Sequence, residues 1–435
     1  MSVDTQLFFN RDTIVNYSKK QGEPEWMLEL RLKAFEQYSS LPMPKLEQTS
    51  IDNWNFSDVH PFVEESAADG LDSLPEEVRS LLSEEEEKSN IIVQKNASIL
   101  FKELDAELKD KGVIFTDLTT ALKEHPELLQ KYFMSEAVKP DEHRLTALHA
   151  ALWSGGMFLY IPQGVEVESP FQTLFWVEGS EIGIHPHVLV VAEANSHVNM
   201  VVNIMGGEGE SKVVSNGLVE VFVGSGAQVR VATLHNLGAQ AVESIYRRAV
   251  VDRDGHIEWI IGNLNYGDTV SDNKTKLQGQ GGQADIKSIT VGSGKQRYNV
   301  TSTVNHQGTY TDSEISERAV MKDKASSIIN GITWIEKGAS KANGQQAERV
   351  LMLSKDARGD ANPILLIDEN DVKAGHAASV GRIDQLQLYY LMSRGITRAE
   401  AEKLIIYGFL DPVLAEVPAE SLRKRLIQLV ERKLA

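Results

Sequence analysis

Apolar and polar positions along the chain change their period twice. Up to about residue 150 the apolar residues recur at helical spacing. Trp26, Leu28, Leu30, Leu32 and Phe35 follow Pro24, and Pro42 and Pro44 close the run. Ile99, Leu100, Leu104 and Leu108 predict a helix, as do Leu118, Leu122, Leu128 and Leu129, and then Leu145, Leu148 and Leu152. Between Ser66 and Ser89 the run Glu84-Glu85-Glu86-Glu87 reads as a solvated helix start or linker.

Near Gly155 the period shortens to two. Val188–Val191, Leu218–Val223 and Ala249–Val251 are β-rich runs that each end in a small turn. Alternating strands then resume at His197–Val201, Gln228–Val231 and His256–Ile260. The turn centres Asn195, Gly226, Gly255 and Gly282 are 31, 29 and 27 residues apart. Strands repeated at this spacing without helical patterns between them predict a parallel β-helix, with inward Val, Ile, Leu and Ala forming an all-apolar core from about 155 to 380. A β-sandwich is the alternative on pattern alone, but it calls for hairpin turns every 8–12 residues.

From Asp384 the helical period returns. Leu386, Leu388, Tyr389, Leu391 and Met392 lead to Gly395, placed to end a helix. Thr397 with Glu400 forms a capping box, and Ala401, Leu404, Ile405 and Phe409 make the next apolar stripe. A last helix runs from about Pro418 to Leu434, with Leu422, Leu426, Leu429 and Val430 on one side. The chain therefore divides into an acidic, mostly helical region (1–150), a β-helix core (151–383) and a helical tail (384–435) that reads as a docking module.

Composition narrows the function. The 435 residues carry a net charge of −18, of which −13 falls in the first 150. Such a surface repels nucleic acid and anionic lipid, so neither is expected as a partner. No signal peptide is read at Met1–Arg11. The longest uncharged stretch, Leu145–Val165, holds His149, Gly155, Gly156, Pro162 and Gln163 and makes a poor membrane span, which points to the cytoplasm. There is no cysteine. That excludes a thiol nucleophile, a zinc ribbon and an iron–sulfur cluster held by the chain's own thiolates.

Catalytic motifs fail to appear. Gly292-Ser293-Gly294-Lys295 lacks both the earlier glycine and the Ser or Thr after the lysine that a phosphate-binding loop needs. The Gly279–Gly282 cluster reads as a tight turn. His185 and His187 share a strand face and would offer a metal two imidazoles, but no third ligand is fixed, so they read as exposed strand histidines. His143 and His149, six apart, fall on different helix faces. No enzyme is predicted.

Two longer stretches carry a resemblance. One is Ala147-Leu148-His149-Ala150-Ala151-Leu152-Trp153-Ser154-Gly155-Gly156, continuing to Tyr160-Ile161-Pro162-Gln163-Gly164-Val165. The other passes through Glu336-Lys337-Gly338-Ala339, Asn343-Gly344-Gln345-Gln346 and Leu351-Met352-Leu353-Ser354 to Pro363. It goes on through Gly375-His376-Ala377-Ala378-Ser379-Val380-Gly381 to Ser393-Arg394-Gly395-Ile396. Together they resemble the SufB/SufD family of iron–sulfur cluster assembly proteins, strongly over about 140–410.

The resemblance implies a right-handed parallel β-helix between helical ends, and a cytoplasmic complex with SufB and the ATPase SufC. SufB supplies a cysteine to the nascent cluster. A chain without cysteine resembles the SufD branch instead, as a non-catalytic subunit. Two positions depart from that branch: Ala374 stands where many relatives have cysteine, and Leu366 where many have glutamate. His376 remains as the ligand for transient iron or a nascent cluster at the SufB junction, with no cofactor held stably by this chain alone. Tyr389, Tyr390, Leu391, Met392 and Arg394 are expected to carry the SufC contact. The competing readings are a β-helix carbohydrate-active enzyme and a scaffold that pairs only with copies of itself.

Overall fold

The computed structural model describes residues 8–65, 90–206, 211–417 and 420–434. The acidic run Glu84–Glu87 and the side chain of Leu422 lie outside the described residues.

From His187 onward, strands alternate between two stacked sheets, and from Val213 each pairs in parallel with the strand two before it in sequence. The result is a parallel β-solenoid of about eight turns. Leu218–Ile261 contains no hairpin: Val213–Val223 pairs with Ala241–Val251, and Gln228–Leu237 with His256–Asn263, all parallel. One corner of the solenoid repeats a left-handed residue: Asn195, Gly226, Asp254, Gly281, Tyr310 and Lys341, spaced 31, 28, 27, 29 and 31 residues apart. Each donates its N–H to a carbonyl of the next rung, as Gly226 does to Arg253 and Gly281 to Thr309. The residues with positive φ in the third and fourth turns are thus Asp254 and Gly281, one before the expected Gly255 and Gly282. Gly281 must be glycine-like, because a Cβ there would overlap the Asp254 side chain of the rung below.

Parallel sheets need cover on both faces. Inside, Val198, Val219, Val229, Ile257, Trp259 and Ile286 form a continuous core. Outside one sheet, Ile14 and Met27 of the first two helices (Arg11–Gln21 and Glu25–Tyr38) join Leu148 and Trp153 over Leu189, Leu218, Phe222 and Tyr246. Outside the other, Ile406, Leu410, Leu426 and Val430 of the C-terminal helices cover Leu234, Ile260, Ile289 and Val320.

The N-terminal region contributes strands as well as helices. Ile99, Leu100 and Leu104, read as helical, lie in or just after the strand Ser98–Glu103; only Leu108 sits on a short helix, Ala106–Asp110. That strand forms an antiparallel hairpin with Ile91–Lys95, which adds in parallel to Phe171–Val177. Ile114–Asp117 closes the other sheet antiparallel to Gly156–Ile161. The first rung is therefore covered by the chain itself, with the short strands Ser98–Glu103 and Ile114–Asp117 as the edges at that end.

The core is not apolar throughout. From the fourth rung, inward positions carry His235, Glu243, Arg247, Asn265 and Thr269, all buried. His235 Nδ1 is 2.9 Å from Glu243 Oε1, Asn265 Nδ2 donates to Glu243 Oε2 at 2.6 Å, and Arg247 donates to Thr233, Ser271 and His235. Burial works against the Glu243 charge, but His235, Asn265 and Arg247 outweigh it and hold its carboxyl below the ordinary range. A buried aliphatic side chain contributes about 1.5–3 kcal/mol and a hydrogen bond a net of about 1 kcal/mol. Polar rungs are thus not the more stabilising choice.

His185 and His187 are fully buried rather than exposed, beneath the N-terminal cap. His187 Nδ1 lies 3.0 Å from His149 Nε2, its Nε2 lies 3.0 Å from Glu220 Oε2, and Phe133 stacks on its ring. Burial pushes the His187 imidazole down to about 3 and the Glu220 carboxyl up to about 8, so both are neutral at pH 7. A carboxyl whose folded value exceeds its unfolded one favours the native state at low pH. That advantage is lost as pH rises from the unfolded value near 4.5 through 8. Glu220→Gln mimics the neutral form and should flatten the decline of melting temperature between pH 5 and 8.5, leaving the variant more stable than the parent at pH 8.5. Parallel melting curves against pH would contradict this assignment.

Candidate functional site

The far end of the solenoid has no such cover. Its final strands, Arg358–Ile367 in one sheet and Lys373–Arg382 in the other, each pair on one side only. Their outer edges carry unmatched N–H and C=O groups, the arrangement that templates pairing with another chain.

His376 lies in the middle of the strand Lys373–Arg382. Its position follows from register. Phe171, Met200, Val231, Trp259, Ile286, Ile315, Gln346 and His376 are successive partners across parallel pairs, so they form one inward-facing column. Phe171 through Gln346 are buried, and Gln346 Oε1 accepts from Thr333 Oγ1 at 3.0 Å. His376 is exposed because no rung follows it. The neighbouring column ends Ser288, Glu317, Glu348, Ala378. Ala377 and Ala378 leave the rim low, and a second backbone can approach it closely.

The apolar surface gathers at the same end. Among the described residues, seven of the nine large exposed apolar side chains fall between Leu366 and Met392: Leu366, Ile367, Val380, Leu386, Tyr389, Tyr390 and Met392. Contiguous apolar exposure of this kind marks interaction surfaces. Leu366 was singled out in the sequence only as a missing carboxylate; its place on a free edge strand gives it a second meaning.

The helix Gln385–Ser393 begins at Asp384, whose carboxylate caps Leu386 N at 2.8 Å, and it ends at Gly395 with φ +89°. Leu388 alone is buried, while Tyr389 is 71% and Leu386 78% exposed. Arg394 donates to the Tyr390 hydroxyl at 3.0 Å and lies over its ring, which stiffens the pair. Leu391 is half-buried behind them. The structure thus brings Tyr389, Tyr390, Met392 and Arg394 together on one short helix, on a different element from His376.

The rest of the tail is committed to the solenoid. Thr397 and Glu400 form the expected capping box of Arg398–Leu414. The face of that helix that packs is Ala401, Ile406, Leu410, Val413 and Leu414, while Leu404 points outward, 52% exposed. On Glu420–Leu434, Leu426, Leu429 and Val430 are buried as expected. Lys433 is buried and donates to Asn265 O, to Gln296 Oε1 at 2.9 Å and to Tyr298 Oη at 2.9 Å. Burial pushes its ammonium well below the usual lysine range.

The solenoid thus leaves its last two strand edges open beside a helix with exposed apolar side chains, an arrangement suited to assembly with another chain. Comparison with known proteins gives the family. Residues 175–409 match the family described as "SUF system FeS cluster assembly, SufBD core domain", and residues 5–173 match "SufBD protein N-terminal region". The chain belongs to the SufB/SufD family of iron–sulfur cluster assembly proteins. It is 48% identical over its whole length, and the whole of the relative, to the iron-sulfur cluster assembly protein SufD of Bacillus subtilis. SufBD family proteins of Staphylococcus haemolyticus and Staphylococcus saprophyticus are 30% and 29% identical, over 93% of this chain and 88% of each relative. No described helix is long and apolar enough to cross a membrane.

Lys433→Met should keep the apolar stem but remove the ammonium's hydrogen bonds to Asn265 O, Gln296 Oε1 and Tyr298 Oη. Urea unfolding is expected to show a loss of about 1–3 kcal/mol. An unchanged midpoint would mean that the tail is held by its apolar face alone.

Proposed function

We propose that the chain is a non-catalytic subunit of the SUF complex, in which it pairs with SufB through the open solenoid end and holds the ATPase SufC on the helix Gln385–Ser393. The observation that carries this reading is the pair of free strand edges flanking an exposed histidine, next to a helix whose aromatic side chains have no cover. A second solenoid docked on those edges continues both sheets and turns the His376 column into an interior one. The imidazole there complements a cysteine thiolate from SufB, giving a mixed site for transient iron or a nascent cluster that neither chain makes alone. ATP-driven dimerisation of SufC then twists the SufB-bound pair and opens the junction, a population shift driven by the partner's ligand. The cytoplasm is the compartment in which this complex works.

Co-expression followed by pull-down tests the assembly. SufB and SufC should be recovered together with this chain, and recovery of self-associated chain alone would favour a homomeric scaffold. Tyr389→Ala with Tyr390→Ala removes two aromatic anchors and should weaken SufC capture by at least about tenfold while SufB capture persists. Loss of SufB with SufC retained would reverse the assignment of the two surfaces. His376→Ala should leave the three-protein assembly intact and lower cluster formation in cells; normal cluster formation would show the histidine to be structural. Anaerobic reconstitution of the isolated chain should yield no stable cluster, since it offers no thiolate.

A further inference from the structure

Glu317 and Glu348 occupy the two rungs nearest the open end that are still enclosed. They are register partners on the inward face, on strands about 4.8 Å apart, and both are fully buried. Glu317 Oε1 accepts from Ser302 Oγ at 2.8 Å, with Ser288 Oγ at 3.4 Å, but its Oε2 has no partner. Neither carboxylate oxygen of Glu348 has a partner. Buried polar atoms are almost always matched, and leaving one unmatched is costly.

The opposite sheet makes room for these oxygens. A Cβ on Gly331 would overlap Glu348 Oε1 and come within 3.4 Å of Gln346 Oε1. Both oxygens thus converge on the bare Cα of a glycine. Gly331 stands between Ser302 and Pro363 in its own column. The interior's arginine, Arg247, is two rungs further in and is engaged by Thr233, His235 and Ser271. Two stacked carboxylates without a facing cation are costly in a low-dielectric interior. Burial pushes Glu317 up to about 8 and Glu348 up to about 7, so protons largely neutralise the pair below pH 7.

We propose that Glu317 and Glu348, with the amide oxygen of Gln346, form a hydrated divalent-cation site inside the solenoid, reached from the open end past Ala378. The donors are carboxylate, amide and hydroxyl oxygens, a hard set that suits Mg²⁺, Mn²⁺ or Fe²⁺ and not a soft thiophilic metal. The only side chain that follows Glu348 in its column is the methyl-bearing Ala378, and His376 follows Gln346 at the rim. A cation reaching the rim has a short path inward. The site belongs to this chain and does not rest on the assembly reading.

Mn²⁺ is the probe, titrated anaerobically into the full-length chain at pH 8, where protons compete least, with free Mn²⁺ followed by electron paramagnetic resonance. The parent should bind one Mn²⁺ more tightly than its diffuse acidic surface does. Glu348→Gln and Glu317→Gln should each weaken that site at least tenfold, while His376→Ala leaves it unchanged. Thermal melts without metal should place both Gln variants at or above the parent, because an amide removes the buried charge, and this separates lost binding from lost folding. Parent-like Mn²⁺ binding in both Gln variants would overturn the site, as would a parent that shows no site above surface binding. Loss in His376→Ala with retention in Glu348→Gln would move the cation to the rim and overturn it too.

Discussion

Every strand of a parallel solenoid satisfies its backbone only through the rung before it and the rung after it. The rest of the structure depends on that constraint. It forces one corner to repeat the same left-handed residue, so that Asn195, Gly226, Asp254 and Gly281 stack and hand an N–H from rung to rung. It also makes the two ends problems that must be solved separately. The first end is solved within the chain, by a hairpin on one sheet and an antiparallel strand on the other. At the last end the free edges belong to the long parallel strands of the solenoid itself, next to the exposed apolar side chains between Leu366 and Met392.

Lateral cover follows from the same architecture. Interior packing leaves the outer faces of both sheets apolar, and the two helical regions divide them, the N-terminal one over Leu218 and Phe222, the C-terminal one over Ile260 and Ile289. Once Arg398–Leu414 and Glu420–Leu434 are committed to that cover and pinned by Lys433, the short helix Gln385–Ser393 is what remains to present apolar side chains outward. The packing of the tail therefore explains why Tyr389 and Tyr390 are exposed while Leu426 and Val430 are not.

The gradient inside the solenoid points the same way. Near the covered end the column is Phe, Met, Val, Trp and Ile; toward the open end it becomes Gln346 and His376, with Glu317 and Glu348 alongside. An apolar rung is the more stabilising filling, so the polar rungs are held at a cost in stability. Those of mid-solenoid, such as Glu243 and Arg247, are buried and matched, and His376 alone of this column is exposed.

The period near 30, the capping box at Thr397, the stop at Gly395 and the absence of any thiol are local or compositional properties, and the sequence by itself determined them. The exchange of helix for strand at Ser98–Glu103 was decided elsewhere: Ile99, Leu100, Leu104 and Leu108 fit both periods, and the free edge of Phe171–Val177 made pairing through Ile91–Lys95 available. Burial of His185 and His187 required the N-terminal helices to fold back over them. The inward parity of His376 was encoded as a count, since Gln346 precedes it by 30 residues and Glu317 precedes Glu348 by 31, close to the solenoid period. Alternation alone cannot say which face is inside; that requires the opposite sheet to close over one face, and closure is a long-range event that no stretch of sequence contains.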